Sequence, residues 1–344
     1  MAVAAGDRAV TVVVIGATGA VGRDLISALE RSTFPIRELR AISSRRSAET
    51  ELSFNGQTLT ATALEGRGGR DAQLSGADLV FFATPPELAR ALAAPIAEQG
   101  AAVIEIGGGL SDQVGLCLPS QGLDLERFDN TRIISTPWGP TAAVATVLGP
   151  LLPLTLTGAR GTALLSAGLA GHEGVDELSQ QVVAMLNSAS PPRRIFPTGL
   201  AFDLITPLGP TAEGDGWSET EQRIASQAAT LLGWEPHQIA VTTVLAPLFA
   251  GMAFDLHLRF EREPQLPSVR AALEQTAGIR FGDPVPGPRR LPGRGGLHVG
   301  RLRADPAGDG VHLWAAADNL RFGAVAQALT AANQLWREGR LGDR

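Results

Sequence analysis

Residues 10–15 read Val-Thr-Val-Val-Val-Ile, and Gly16-Ala-Thr-Gly-Ala-Val-Gly22 follows at once. A short β-branched run of this kind is the signature of a buried parallel strand. The glycines at 16, 19 and 22 separate it from a helical pattern through Leu25, Leu29 and Glu30. Glycine permits the tight turn and lets a pyrophosphate approach the helix N-terminus, where free N–H groups and the helix dipole favour anions. The competing reading is a strand-to-helix turn that binds nothing. Gly16, Thr18, Gly19, Ala20, Val21 and Gly22 are the candidate pyrophosphate contacts. Phe34-Pro35 ends the helix, a second strand is expected near 38–43, and Asn55-Gly56 inside an alternating stretch predicts a hairpin. Leu79–Ala83 and Ala102–Ile106 are further buried strands with a helix over 86–99 between them. Strand and helix in alternation predict an α/β, doubly wound dinucleotide-binding (Rossmann) domain.

The end of the second strand bears on which dinucleotide fits. NAD sites place an acid there for the ribose hydroxyls, whereas NADP sites prefer arginine. The chain reads Ser43-Ser44-Arg45-Arg46-Ser47, with no acid until Glu49. Ser44, Arg46 and Ser47 suit a 2′-phosphate, so NADP is the expected cofactor; an exposed basic turn is the alternative. After Pro137 the pattern changes. Strands near 156–166, 238–246, 249–260, 297–303 and 311–317 alternate and predict a mixed or antiparallel sheet. Helices near 173–187, 218–232 and 266–277 are expected to cover one face, and a last helix, 323–338, to return to the first domain. At 344 residues the chain exceeds one typical core. The expected division is 1–136 plus 322–344 for the dinucleotide domain and 137–321 for an α+β second domain. Asp283 to Gly296 is rich in proline, glycine and arginine and reads as a solvated connection, or else as an anion-binding loop.

Composition removes several classes. A content of 44% apolar and 19% charged residues is that of a soluble globular chain. A net charge of −6 gives no pull toward nucleic acid. No apolar run reaches the ~18 residues of a membrane span, and Met1 to Ala5 lacks the pattern of a signal peptide; a cytoplasmic protein is expected. All 29 basic residues are arginine and there is no tyrosine. That excludes a P-loop, a Schiff-base enzyme and the Tyr–Lys pair of the short-chain dehydrogenases. Cys117 is the only cysteine, which leaves no intrachain disulfide; it is expected on an apolar strand as a buried structural thiol. His172 and Glu173 open a helix. His237, His257, His298 and His312 lack metal-ligand spacing, so they read as structural histidines and no metal is expected.

These segments, in this order, resemble the aspartate-semialdehyde dehydrogenase family. The likeness continues in Thr33-Phe-Pro-Ile-Arg-Glu-Leu, Ala170-Gly-His-Glu-Gly-Val-Asp-Glu-Leu, Leu200-Ala-Phe-Asp-Leu-Ile, Val299-Gly-Arg-Leu-Arg-Ala-Asp and Ala317-Asp-Asn-Leu-Arg-Phe-Gly-Ala, and so spans the chain. The resemblance implies a second domain of the semialdehyde dehydrogenase/glyceraldehyde-3-phosphate dehydrogenase type that carries substrate contacts and forms a homodimer. It also implies a reaction: a cysteine thiolate attacks an aldehyde or acyl phosphate, hydride exchanges with the nicotinamide, and phosphate exchanges with a thioester.

The residues that reaction needs are replaced. Gly139 stands where the resemblance puts the nucleophilic cysteine, and Met252 where it puts the acid–base histidine. Leu245 replaces the carboxylate-holding arginine, Leu165 a glutamine and Phe322 a lysine. The phosphate-binding Phe-Arg of the first domain is missing around Ile106-Gly-Gly-Gly-Leu-Ser-Asp. Glu221 and Arg223 remain on the substrate side, and Asn319 remains beside the cofactor. This pattern is similar to the inactive Usg-like branch of the family. Three expectations follow: a non-catalytic dimer that still binds NADP(H) weakly; an active NADP-dependent semialdehyde dehydrogenase of amino-acid biosynthesis with atypical residues; or a structural subunit pairing with an active paralogue.

Overall fold

The computed structural model describes residues 9–291, 293–319 and 322–342. Leu320 and Arg321 of the family-like ending lie outside the described residues. The chain divides into two units at Pro137/Trp138 and at Gly323/Ala324.

The first unit begins with β1 (Val10–Ile15), α1 (Ala20–Glu30) and β2 (Ile36–Ser43). Next come β3 (Glu51–Phe54), β4 (Gln57–Thr60), β5 (Thr62–Ala63), α2 (Arg67–Leu74), β6 (Leu79–Phe82) and α3 (Pro86–Glu98). β7 (Ala102–Gly107), α4 (Ser111–Val114), α5 (Leu125–Thr131) and β8 (Ile133–Pro137) complete its N-terminal part. The strand order is β5-β2-β1-β6-β7-β8, with all neighbours parallel. β3 and β4 form the expected hairpin apart from that sheet, with Asn55 and Gly56 at φ 51° and 72°, the left-handed pair that a tight two-residue turn requires. β1 and β6 are buried on both faces, as their continuous Val, Leu and Phe runs demand.

The second unit contains α6 (Gly139–Leu148), β9 (Leu156–Leu165), α7 (Gly171–Leu186), α8 (Glu219–Leu232), β10 (Ile239–Leu245) and β11 (Met252–Phe260). It continues with α9 (Leu266–Glu274), β12 (Ile279–Phe281), β13 (Leu297–Ala304) and β14 (Gly310–Ala317). Its sheet runs β10-β9-β11-β14-β13-β12 and is mixed, with parallel pairs only at the two edges. One face carries Leu156, Phe254, Leu256, Leu258, Leu313 and Val299 into a core shared with α6, α7, α8 and α9. The last helix, α10 (Ala324–Arg337), belongs to the first unit, where Val325, Ala328, Ala331 and Leu335 join the core of β1, β6 and β7. Among the described residues no helix is long and apolar enough to cross a membrane.

Two local expectations need correction. Cys117 is not on a strand: it follows an isolated bridge between Leu116 and Ser135, with its N–H donating to the Ser135 carbonyl at 2.9 Å. The segment from Asp283 is more than a solvated connection. Leu291 is fully buried, and with Val285 it packs on Ala253, Ala316 and Leu164, on the sheet face opposite the helices. Pro, Gly and Arg around those two residues hid the apolar pair.

Candidate functional site

The first unit's sheet reverses its strand order between β1 and β6, the place where open α/β sheets bind nucleotides. Gly16 leaves β1 at φ 90°, and the N–H groups of Gly16 and Ala17 donate to the Ile42 carbonyl at 2.9 and 3.0 Å. A Cβ on Gly16 would run into the Ala83 carbonyl oxygen, and one on Gly22 into that of Gly16. Those two positions are glycine because the backbone leaves no room. Gly19 differs. Its φ is −72°, and a Cβ there would meet only the Gly16 oxygen at an ordinary 3.4 Å. Sterics do not require glycine at 19, which is exposed at the start of α1. Gly19 is the N-cap of α1, and having no side chain it makes no cap hydrogen bond to the first-turn N–H groups of the helix. Thr18 turns its carbonyl to Arg23 Nε at 2.9 Å. Beside the loop, Thr84 borders Gly16 with its methyl group, and its hydroxyl is buried without a hydrogen-bond partner among the described residues.

The Ser-Arg stretch lies next to this loop. Ile42 pairs with Ile15, β2 ends at Ser43, and Ser44 caps a single turn over Arg45–Ser47. Ser47 N–H donates to the Ser44 carbonyl at 3.0 Å, and the two hydroxyls are 3.5 Å apart. Ser44 and Arg46 are exposed. One adjacent pair of strand ends therefore carries both the glycine loop and the Ser44, Arg46 and Ser47 group.

In the second unit three of the positions singled out for chemistry meet. Leu165, Leu245 and Met252 end β9, end β10 and begin β11, and the register pairs Leu165 with both of the others. All three are at most 4% exposed and belong to one apolar core with Phe322 and Ala317. Gly139 is the buried first residue of α6. The backbone of Gly323 comes so close that a Cβ there would lie 3.1 Å from Gly139 Cα. No acid, base or nucleophile occurs among Gly139, Leu165, Leu245, Met252 and Phe322.

The remaining polar positions have partners within the fold. Glu221 closes a capping box with Ser218 and also accepts from Thr243 N–H at 2.9 Å. Arg223 stands 5.0 Å over the Trp138 ring, while Gln227, one turn along α8, accepts the Trp138 N–H at 3.1 Å. Sequence reasoning missed this clasp on the start of α6; its one signal was the i, i+4 spacing of Arg223 and Gln227. Asn319 Oδ1 accepts from Gly251 N–H at 2.7 Å. His172 is exposed in the first turn of α7, 3.7 Å from Asp176. Burial pushes the Cys117 thiol up to about 11, so it is protonated at neutral pH and a poor nucleophile.

Two family models match in series: a semialdehyde dehydrogenase NAD binding domain over residues 11–121 and a semialdehyde dehydrogenase dimerisation domain over 148–322. A USG-1 protein homolog of Azotobacter vinelandii is 30% identical over 340 residues, covering 96% of this chain and 99% of that one. Another from Pseudomonas aeruginosa is 31% identical over 94% of this chain and 96% of that one. Among solved structures, aspartate semialdehyde dehydrogenase II from Vibrio cholerae, complexed with ASA, matches with a TM-score of 0.87 at 28% identity, over 96% of this chain and 99% of that one. A whole-length match in sequence, in both domain models and in fold leaves one assignment: this chain belongs to the aspartate-semialdehyde dehydrogenase family.

Proposed function

We propose that this protein is a non-catalytic member of its family, a homodimer that binds NADP(H) through the adenosine-phosphate end and does not turn over a semialdehyde. One observation carries the reading: the ends of β9, β10 and β11 present Leu165, Leu245 and Met252, all buried and apolar, beside a helix that starts with Gly139. Glycine cannot form a thioester, and methionine cannot shuttle a proton. Losing the nucleophile of an acyl-transfer enzyme costs on the order of 10⁶ in rate, about 8 kcal/mol of barrier. A leucine-lined site also has nothing to hold an amino-acid carboxylate.

The dinucleotide reading rests on the first unit. The exposed glycine at 19, with ordinary room for a Cβ, the first turn of α1 without a side-chain cap, and the Thr84 hydroxyl without a partner among the described residues fit a pyrophosphate. Ser44, Arg46 and Ser47 would hold the 2′-phosphate. A bound NADP(H) would supply hydride chemistry, but the chain's own residues would do no more than bind and orient it. The Ala83-Thr-Pro-Pro86 loop has two prolines and so few N–H donors for the nicotinamide half; binding is weak and adenine-led. The dimer reading rests on the dimerisation domain and on exposed Val183, Met185, Leu186, Phe202 and Leu204.

The test joins two measurements on one preparation. Aspartate semialdehyde, phosphate and NADP⁺ should yield no NADPH, while calorimetry should show NADP⁺ and 2′-phospho-AMP binding more tightly than NAD⁺. Turnover near 1 s⁻¹, the low end for ordinary enzymes, overturns the non-catalytic reading. Failure of 2′-phospho-AMP to bind folded protein makes the loop a structural relic and favours a purely structural subunit that pairs with an active paralogue.

A further inference from the structure

Away from the ends of β9, β10 and β11, the second unit brings His257 of β11 together with two side chains of the β13–β14 hairpin, Asp305 and His312. His257 on β11 and His312 on β14 are directly opposite in the antiparallel register, with rings stacked 4.6 Å apart at 21°. Asp305 follows β13 in the turn to β14. That turn is fixed by Asp305 N–H to the Gly310 carbonyl and Gly308 N–H to the Asp305 carbonyl, both at 2.9 Å, and by Ala307 N–H to Asp305 Oδ1 at 3.1 Å. We propose that His257, Asp305 and His312 form a binding site for one divalent transition-metal ion of the zinc type.

The geometry supports a shared cation more than an ordinary ion pair. One ligand atom from each residue lies within 4.8 Å of the other two. Zinc bonds of about 2.0–2.1 Å set tetrahedral ligand atoms about 3.3 Å apart; His257 Nε2 lies 2.7 Å and His312 Nε2 3.9 Å from the Asp305 carboxylate, on either side of that spacing. His257 Nε2 approaches Asp305 Oδ2 to 2.7 Å, yet it is buried and makes no hydrogen bond among the described residues. With no hydrogen bond between them, the imidazole nitrogen and the carboxylate oxygen are both left as donor atoms for one metal. Gly310 borders the group: a Cβ there would run first into the Leu258 carbonyl oxygen and then meet His257 Nε2 at 2.8 Å. Two imidazoles and one carboxylate select zinc-like ions over calcium or magnesium.

The surroundings do not oppose a cation. Arg160 and Arg303 are the cross-strand neighbours of His257 and His312. Arg160 turns to the Ala159 and Gln238 carbonyls, and Arg303 to the Arg301 carbonyl and toward Asp255. Arg259 is 3.5 Å from Asp309, an acid that also neighbours Asp305. The side chains of His257 and His312 are 24% and 31% exposed, which leaves a route for the ion and for a water as fourth ligand.

The test uses the untagged full chain, stripped with EDTA and titrated calorimetrically with Zn²⁺. One ion per chain is expected. Asp305→Asn and His312→Gln should each weaken binding at least about tenfold, the lower bound seen even for outer-sphere partners. His172→Ala, which removes the exposed histidine near Asp176, should leave affinity unchanged. If the ligand variants do not fold, Co²⁺ added to the wild type should give the strong visible bands of a four-coordinate ion. Sub-stoichiometric binding, equal affinity in the ligand variants, or a purely six-coordinate Co²⁺ spectrum overturns the proposal.

Discussion

Met252 and Leu165 face each other across the antiparallel pair β11–β9, each 1% exposed; on the non-catalytic reading these are positions where polar groups would move a proton and hold a substrate. Rebuilding such a site is therefore a packing problem as well as a chemical one. Gly139→Cys with Met252→His should stay below about one-thousandth of an ordinary ~1 s⁻¹ turnover, because positioning alone is worth several powers of ten. Leu165 and Leu245 would still pack there as buried core residues. Met252→His should also cost about 1–3 kcal/mol, since it buries an imidazole among leucines. Turnover by the double variant and urea unfolding of the single one check both. An active double variant would show that the leucines do not block substrate.

The glycine loop separates two kinds of glycine. Gly22→Ala should destabilise by about 1–3 kcal/mol, as overpacking does, because its Cβ runs into the Gly16 carbonyl. Gly19→Ala should leave the unfolding midpoint nearly unchanged and weaken NADP⁺ binding at least about tenfold, ~1.4 kcal/mol. Arg46→Ala should weaken NADP⁺ by about 10- to 150-fold, the value of one charge-assisted contact of roughly 1.5–3 kcal/mol, and barely change NAD⁺. Thermal unfolding and calorimetry on the three variants give the answer. Full NADP⁺ affinity in Gly19→Ala would remove the ligand as the reason for that glycine.

Much of this was legible because periodicity reports one-sided burial. β1 and the Asn55-Gly56 hairpin were readable in the chain, and so were the alternating β9, β11 and β14. α6 was not: every residue from Gly139 to Leu148 is buried, so it has no polar stripe to give a helical period. β12 is three residues long and announces nothing. At the candidate sites, what chain order carries was visible: glycines directly after a strand and at a helix start. What sheet register carries was not. Positions 257 and 312 become neighbours only because β11 and β14 pair, and Arg223 meets Trp138 only because α8 packs beside α6.

The second unit leaves several large apolar side chains in water. Leu186, at the end of α7, is 74% exposed and Phe202 is 66% exposed. Large apolar side chains left exposed mark an association surface where they form one patch. Light scattering at micromolar concentration should report near twice the 35.8 kDa chain mass. Leu186→Asp with Phe202→Asp should shift the population to monomer without loss of helical signal. A monomeric wild type, or a double variant that remains dimeric, would place the interface elsewhere or nowhere.

Glu177 sets a pH dependence that belongs to the second unit's own folding. Its side chain on α7 is fully buried and accepts N–H bonds from Arg194, Ile195 and Phe196 at 2.8–2.9 Å, and from Gln181 at 3.2 Å. Burial pulls its carboxyl pKa upward, but the backbone bonds from Phe196, Ile195 and Arg194 outweigh that and hold it below the usual 4.5. The Arg194 guanidinium, 3.7 Å away and 69% exposed, adds little. A carboxylate depressed in the folded state stabilises above its unfolded pKa, and that contribution is lost as pH falls through the folded value. Urea midpoints should therefore drop below about pH 4.5, the ordinary range for a glutamate. Glu177→Gln should cost about 1–3 kcal/mol at pH 7, because an amide presents an NH₂ to N–H donors that need an acceptor. It should also flatten the acid limb of the wild-type curve. If wild type and Glu177→Gln lose stability in parallel between pH 5 and the acid end, on the order of the same slope, another carboxylate governs that limb.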